Sequence, residues 1–161
     1  MTVTEYNNCV DLHADGVYRF ILKSVKDRDT AKDIVQESYT RMWERVRDIH
    51  YEKAKSYLFT TAYHAMVDYF RKDQKLSPLD DTYNSAYQTE NSFNDLKEVI
   101  QEAVARLPEI QRSVILLRDY EGYSYEEIGQ ITELTESQVK VYIFRARTFL
   151  KQYIGSLDLV I

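Results

Sequence analysis

Apolar residues recur along this chain at helical spacing, and the places where that period fails divide it into elements. Over residues 6–25, Val10, Ala14, Val17, Phe20, Ile21 and Val25 make one stripe, with Gly16 a small cost inside it. The polar break at 26–29 offers Asp27 or Asp29 as the cap of a second helix. That helix is expected over residues 30–48, with Ala31, Val35, Tyr39, Met42 and Val46 inward and Ile34 and Trp43 on its flanks. Residues 49–55 lose the period and read as a loop. A third helix is expected over 56–72, with Leu58, Ala62, Ala65, Met66 and Tyr69 facing a core.

The next stretch, residues 76–94, has Pro78, many small polar residues and no period. It is too long for a structureless loop inside a compact domain, so it reads as a linker. Helical spacing resumes at Leu96, Val99, Ile100, Ala103 and Leu107, and Pro108 ends or restarts it. Residues 109–119 place Ile110, Val114 and Leu117 inward, with Leu116 a further candidate, and Gly122 suits a helix C-terminus.

Two capping boxes follow, Ser124 with Glu127 and Thr135 with Gln138. Two short helices joined by a tight turn make a helix-turn-helix, whose second helix enters the DNA major groove. In that second helix Val139, Ile143, Ala146 and Leu150 form the docking stripe. The expected fold is all-α: two small helical domains, 1–75 and 95–161, joined by a flexible acidic linker at 76–94. The second domain ends in the helix-turn-helix and an apolar tail with Leu157, Leu159, Val160 and Ile161.

Composition narrows the function. A single cysteine, Cys9, excludes an internal disulfide and a Cys-based zinc site, which fits a reducing cytoplasm. No apolar run approaches the roughly 20 residues that span a membrane, and the N-terminus lacks the basic start and apolar core of a secretion signal. No nucleophile–base pair, metal cluster or phosphate loop is present, so neither an enzyme nor a cofactor is expected. His64 has no second histidine at metal spacing.

Net charge is −5, an unpromising value for a DNA-binding protein. By segment, residues 1–75 hold 13 basic and 12 acidic side chains, 76–105 hold 1 and 6, and 106–161 hold 7 and 8. The acid excess therefore lies between two nearly neutral blocks, neither with the basic surplus that drives strong non-specific DNA binding. A DNA-binding role would need a partner.

Three polar faces carry candidate chemistry. Asp33, Gln36, Glu37, Thr40 and Glu44 form the outer side of the second helix, either a solvated face or a dock for a basic partner. Tyr57, Thr60, Thr61, His64, Asp68 and Arg71, near Lys72 and Lys75, line one side of the third. Rings among bases and hydroxyls suit unstacked single-stranded bases, although several of these tyrosines would equally serve as half-buried core. Ser137, Gln138, Val141, Phe144, Arg145 and Thr148 oppose the docking stripe of the last helix. Arg145 could read guanine edges, Gln138 adenine, and Phe144 and Val141 thymine methyls; the plainer alternative is a solvated face.

Two stretches carry a family resemblance. DIVQESYTRMWE, residues 33–44, resembles the core-polymerase-binding helix of bacterial sigma factors of the extracytoplasmic-function branch. Residues 107–150, including Ile143-Phe144-Arg145-Ala146-Arg147, resemble that family's promoter-reading domain, and residues 57–72 resemble its segment that melts and reads the minus-ten element. The resemblance implies that Asp33, Gln36 and Glu37 dock on the polymerase clamp. It implies that residues 49–55 and 57–72 hold the non-template strand with a flipped base. It places Lys140, Val141, Phe144 and Arg145 nearest the minus-35 bases, and gives Arg147 a packing or phosphate role. It implies core RNA polymerase and promoter DNA as partners and an anti-sigma protein as a regulator. The linker matches the segment that threads toward the polymerase active-site cleft.

The chain departs from the family pattern at several positions. His64 stands where the family usually has Asn, Glu133 where the turn often has Gly, and Val141 and Tyr142 where Ser and Arg are usual. Two other readings are a helix-turn-helix transcriptional regulator, which would need a receiver domain that residues 1–75 do not resemble, and a sigma-like adaptor that binds only proteins.

Overall fold

The first helix, α1 (Val3–Val25), starts ahead of its apolar stripe. Thr2 and Glu5 form a capping box: the Glu5 N–H donates to the Thr2 hydroxyl at 3.1 Å, and the Thr2 N–H donates to the Glu5 carboxylate at 2.9 Å. The expected start at residue 6 followed the stripe and missed this cap. The computed structural model describes residues 1–76 and 96–158. The expected linker, apart from its first residue, and Leu159, Val160 and Ile161 of the expected tail lie outside the described residues, as does the side chain of Leu157.

Asp27, not Asp29, caps α2 (Arg28–Glu44), its carboxylate accepting from the Thr30 N–H. The helix ends four residues before the expected 48. The chain turns at 45–48, and the Met1 ammonium donates to the Val46 and Ile49 carbonyls at 2.6 and 2.8 Å. Ile49 then enters the core, so the expected loop 49–55 is only partly loop. A 3₁₀ turn, Tyr51–Lys53, leads directly into α3 (Ala54–Leu76). That helix begins before the expected Ser56 because Ala54 is itself buried. The flanks of α2 resolve oppositely: Ile34 is 6 % exposed, while Trp43, at 46 %, lies edge-on to Tyr6. Helices α1, α2 and α3 enclose Val17, Phe20, Ile21, Met42, Leu58 and Met66.

In the second unit, α4 (Leu96–Ala105) is followed by α5 (Glu109–Ile115), which runs on as a π turn, Leu116–Tyr120. Residues 112–117 are buried on every side, so no amphipathic stripe could describe them. Arg112 is among them, donating from Nη1 to the Leu107 carbonyl at 3.2 Å beyond the end of α4. Burial lowers the Arg112 pKa and raises that of the neighbouring Glu109. Helices α6 (Tyr125–Thr132) and α7 (Glu136–Asp158) complete the unit. Because α7 continues to Asp158, residues 155–158 are helical where a tail was expected.

Both predicted capping boxes of the helix pair are formed. The Glu127 N–H donates to the Ser124 hydroxyl at 3.1 Å and the Ser124 N–H to the Glu127 carboxylate at 3.0 Å. The backbone hydrogen bond from Ser124 holds the Glu127 carboxyl below its ordinary value of 4.5. A depressed carboxyl stabilises the fold above its unfolded-state pKa, and that contribution is lost as pH falls through the folded-state value. Ser124→Ala is expected to cost about 1 kcal/mol in urea unfolding at neutral pH, and to move the Glu127 carboxyl titration upward by NMR. An unmoved titration would show that the Ser124 hydroxyl contributes nothing to the Glu127 carboxylate, whose bond from the residue 124 N–H the variant keeps.

Candidate nucleic-acid and protein-docking surfaces

The exposed side of α2 follows from its period. With Ala31, Ile34, Val35, Ser38 and Met42 buried, Asp33, Gln36, Glu37, Thr40 and Glu44 share the outer face, and all five are exposed. Ser38 escapes the cost of a buried hydroxyl by donating to the Ile34 carbonyl at 2.8 Å. Glu37 pairs with Arg41 one turn on, and the Thr40 hydroxyl donates to the Gln36 carbonyl at 3.0 Å. Asp33 and Glu44 complete an acidic surface on a rigid helix, suited to a basic protein surface.

The α3 face is less open than its sequence suggested. Asp68, Arg71 and Lys72 are exposed, whereas Tyr57, Thr60, Thr61 and His64 are half-buried. Phe59 and Tyr63, which lay outside the predicted inward set, are buried against the second unit, and burial pushes the Tyr63 hydroxyl up to about 12. One helix period can mark one buried stripe; α3 has two, because α6 packs on its other side. His64 Nε2 lies 3.4 Å from the Glu133 carboxylate, which comes from the turn between α6 and α7. Glu133 holds φ 61°, ψ 36° there, the left-handed shape that favours glycine. Two of the four departures from the family pattern, His64 and Glu133, thus meet each other.

Helix α7 carries the clearest candidate face. Val139, Ile143 and Ala146 are buried against the rest of the unit, and Gly129 lets the turn close, since a Cβ there would lie 2.7 Å from the Leu134 carbonyl oxygen. The opposite side exposes Ser137, Gln138, Lys140, Val141, Phe144 and Arg145, with Phe144 at 71 %. Lys140 lies 3.7 Å from Glu136, and the Arg145 guanidinium lies 5.8 Å from the Tyr142 ring centre. Gln138 is placed on this face but partly engaged: its side-chain oxygen accepts from the Thr135 N–H at 2.9 Å. Arg147 leaves the face, pairing with Asp119 at 2.8 Å, a bond that raises its pKa and gives it a structural role.

Comparison with known proteins follows this division. The Sigma-70 region 2 family matches residues 9–76, and Sigma-70, region 4 matches residues 97–150. The ECF RNA polymerase sigma factor SigM of Bacillus subtilis (strain 168) is 30 % identical over 156 residues, covering 94 % of each chain. RNA polymerase sigma factor SigV of the same organism is 29 % identical over 153 residues, 94 % of this chain and 92 % of SigV. Among solved structures, the sigma factor RpoE in complex with the anti-sigma factor NepR from Bartonella quintana has a TM-score of 0.76 at 20 % identity, covering 95 % of this chain and 98 % of that one. CnrH in complex with the cytosolic domain of CnrY has a TM-score of 0.70 at 19 % identity, covering 94 % of this chain and 88 % of CnrH. These two likenesses establish the fold.

Proposed function

The chain belongs to the ECF RNA polymerase sigma factors, and from that premise we propose how its surfaces divide the work of promoter recognition. It is a transcription initiation factor that binds core RNA polymerase and directs it to promoters. The acidic face of α2, Asp33, Gln36, Glu37, Thr40 and Glu44, docks on the polymerase. The α3 side chains Tyr57, Thr60, Thr61, His64, Asp68, Arg71 and Lys72 hold the melted minus-ten strand. The face of α7, Ser137, Gln138, Lys140, Val141, Phe144 and Arg145, reads the minus-35 duplex. Residues 1–75 and 95–161 act as separate promoter-reading domains across the 76–94 linker. The factor does no chemistry itself, works in the cytoplasm beside polymerase, and is held in check by an anti-sigma protein.

The observation that carries the reading is the α7 surface. An exposed phenylalanine beside an arginine, on a helix docked by its opposite stripe, is poorly explained by solvation and well explained by base contact. The near-neutral charge of both units explains why polymerase must supply affinity. Purified protein is expected to bind promoter duplex weakly, and to form a salt-sensitive specific complex once core polymerase is added. Charge reversal at Asp33 and Glu37 together is expected to lower polymerase affinity at least tenfold while leaving the melting temperature within about 2 °C of the parent, because exposed positions contribute little to stability. Tight promoter binding without polymerase would sink the assignment.

A further inference from the structure

Lys140, Arg145 and Arg147 stand close together on α7 and are held in different ways. Lys140 lies 3.7 Å from the Glu136 carboxylate, and Arg147 donates to Asp119 at 2.8 Å. Arg145 is exposed, and among the described residues no carboxylate pairs with it. What holds it is a ring: the guanidinium carbon lies over Tyr142, 5.8 Å from the ring centre. An ion pair would occupy guanidinium N–H groups. The face of a ring attracts the cation and occupies none, so all five donors stay available to another acceptor.

The ring is placed by packing. Tyr142 is half-buried against the core, at the border between the buried stripe of Val139, Ile143 and Ala146 and the exposed face. Residues three apart are neighbours on a helix surface, so a ring fixed at 142 lies within reach of the side chain at 145. A long arginine side chain free in water must be ordered when it meets a base, and that ordering costs affinity. A ring already beside the guanidinium removes part of the cost before DNA arrives. The arginine usual in the family at this position would repel Arg145 instead, so the departure at Tyr142 has a local consequence.

We propose that Tyr142 is a positioning residue for base recognition: its ring holds the Arg145 guanidinium ready for the minus-35 base pair, and so sets how sharp the preference carried by Arg145 is. This rests on the reading of α7 as the minus-35 face. An exposed contact between a cation and a ring corresponds to a roughly two- to fivefold effect.

The test is promoter-specific transcription with core polymerase from a library in which each minus-35 base pair is varied in turn. The parent is compared with Tyr142→Phe, Tyr142→Leu, Arg145→Ala and the variant carrying both Tyr142→Leu and Arg145→Ala. Preference is a ratio of outputs, so a change in the amount of folded protein cancels from it. Arg145→Ala should flatten the preference at the base pair that Arg145 meets. Tyr142→Leu keeps an apolar side chain in the half-buried place, and should weaken the preference at that same base pair roughly two- to fivefold while leaving the others as in the parent. Tyr142→Phe keeps the ring and should keep the preference. With Arg145 already removed, Tyr142→Leu should cost nothing more there. The positioning role is overturned if Arg145→Ala flattens a preference that Tyr142→Leu leaves intact, or if Tyr142→Leu weakens every base pair alike. It is also overturned if Tyr142→Phe loses as much as Tyr142→Leu, which would assign the effect to the hydroxyl, or if Tyr142→Leu still costs preference in the absence of Arg145. Should Arg145→Ala leave every preference unchanged, the reading of Arg145 as a minus-35 contact fails, and the role of Tyr142 fails with it.

Discussion

Replacing Phe144 and Arg145 together by Ala is expected to lower transcription from a promoter with a matched minus-35 element roughly 100-fold, given about 1–3 kcal/mol of discrimination for each good base contact. As neighbours on one face, the two will not add strictly. Both side chains are exposed, and the packing of α7 depends on Val139, Ile143 and Ala146 instead. The fold should therefore keep its stability within about 0.5 kcal/mol, the usual range for a surface change. The measurement is paired: run-off transcription with core polymerase on the matched promoter, and on a premelted template lacking the minus-35 element, where output should change less than about twofold since no duplex contact remains to lose. An equal fall on both templates would mean that α7 does something other than read the upstream element.

Phe59→Ala should do the reverse. Its ring is fully buried, 5.9 Å from Phe20 and 5.4 Å from Tyr123, so it joins the core of the first helical unit to the segment leading into α6. Truncating a buried phenylalanine costs about 3–5 kcal/mol. A chain of this size loses about 2–4 °C for each kcal/mol, so the melting temperature should fall by roughly 10 °C. Phe59→Leu, which keeps most of the apolar volume, should recover more than half of that loss. A drop of less than about 1 kcal/mol would mean that the site collapses around the gap and the ring is not needed for packing. The two variants, one at a buried phenylalanine and one at a phenylalanine 71 % exposed, would thus separate stability from the proposed recognition.

How much of this could be read from the sequence depended on whether the signal was local. The capping boxes at Ser124 and Thr135 depend on residues three apart, and both formed as expected. So did the buried stripe of α7, apart from the half-buried Leu150. The same kind of signal at Thr2 and Glu5 lies ahead of the apolar stripe, so the period alone places the start of α1 too late. What stayed out of reach was set by distant partners. Phe59 and Tyr63 turned inward because a second unit covers α3, and nothing within residues 56–72 announces that cover. Trp43 and Ile34 looked equivalent on the flanks of α2 until Tyr6 gave the tryptophan a resting place near the surface. The π turn at Leu116–Tyr120 falls in a run of buried residues, where periodicity has nothing to distinguish.

The tether between Gln138 and Thr135 bears on how such a protein can change its targets over time. The Gln138 side-chain oxygen is committed to the start of α7, where it accepts from the Thr135 N–H. Drift at this position is confined to residues that can still accept from the Thr135 N–H, chiefly Gln and Glu, because any other choice loosens the helix that presents the whole face. Val141, Phe144 and Arg145 stand clear of that cap and can vary without disturbing it. Divergence toward new promoters should therefore be written at those three positions first, with Gln138 as the slow letter of the code.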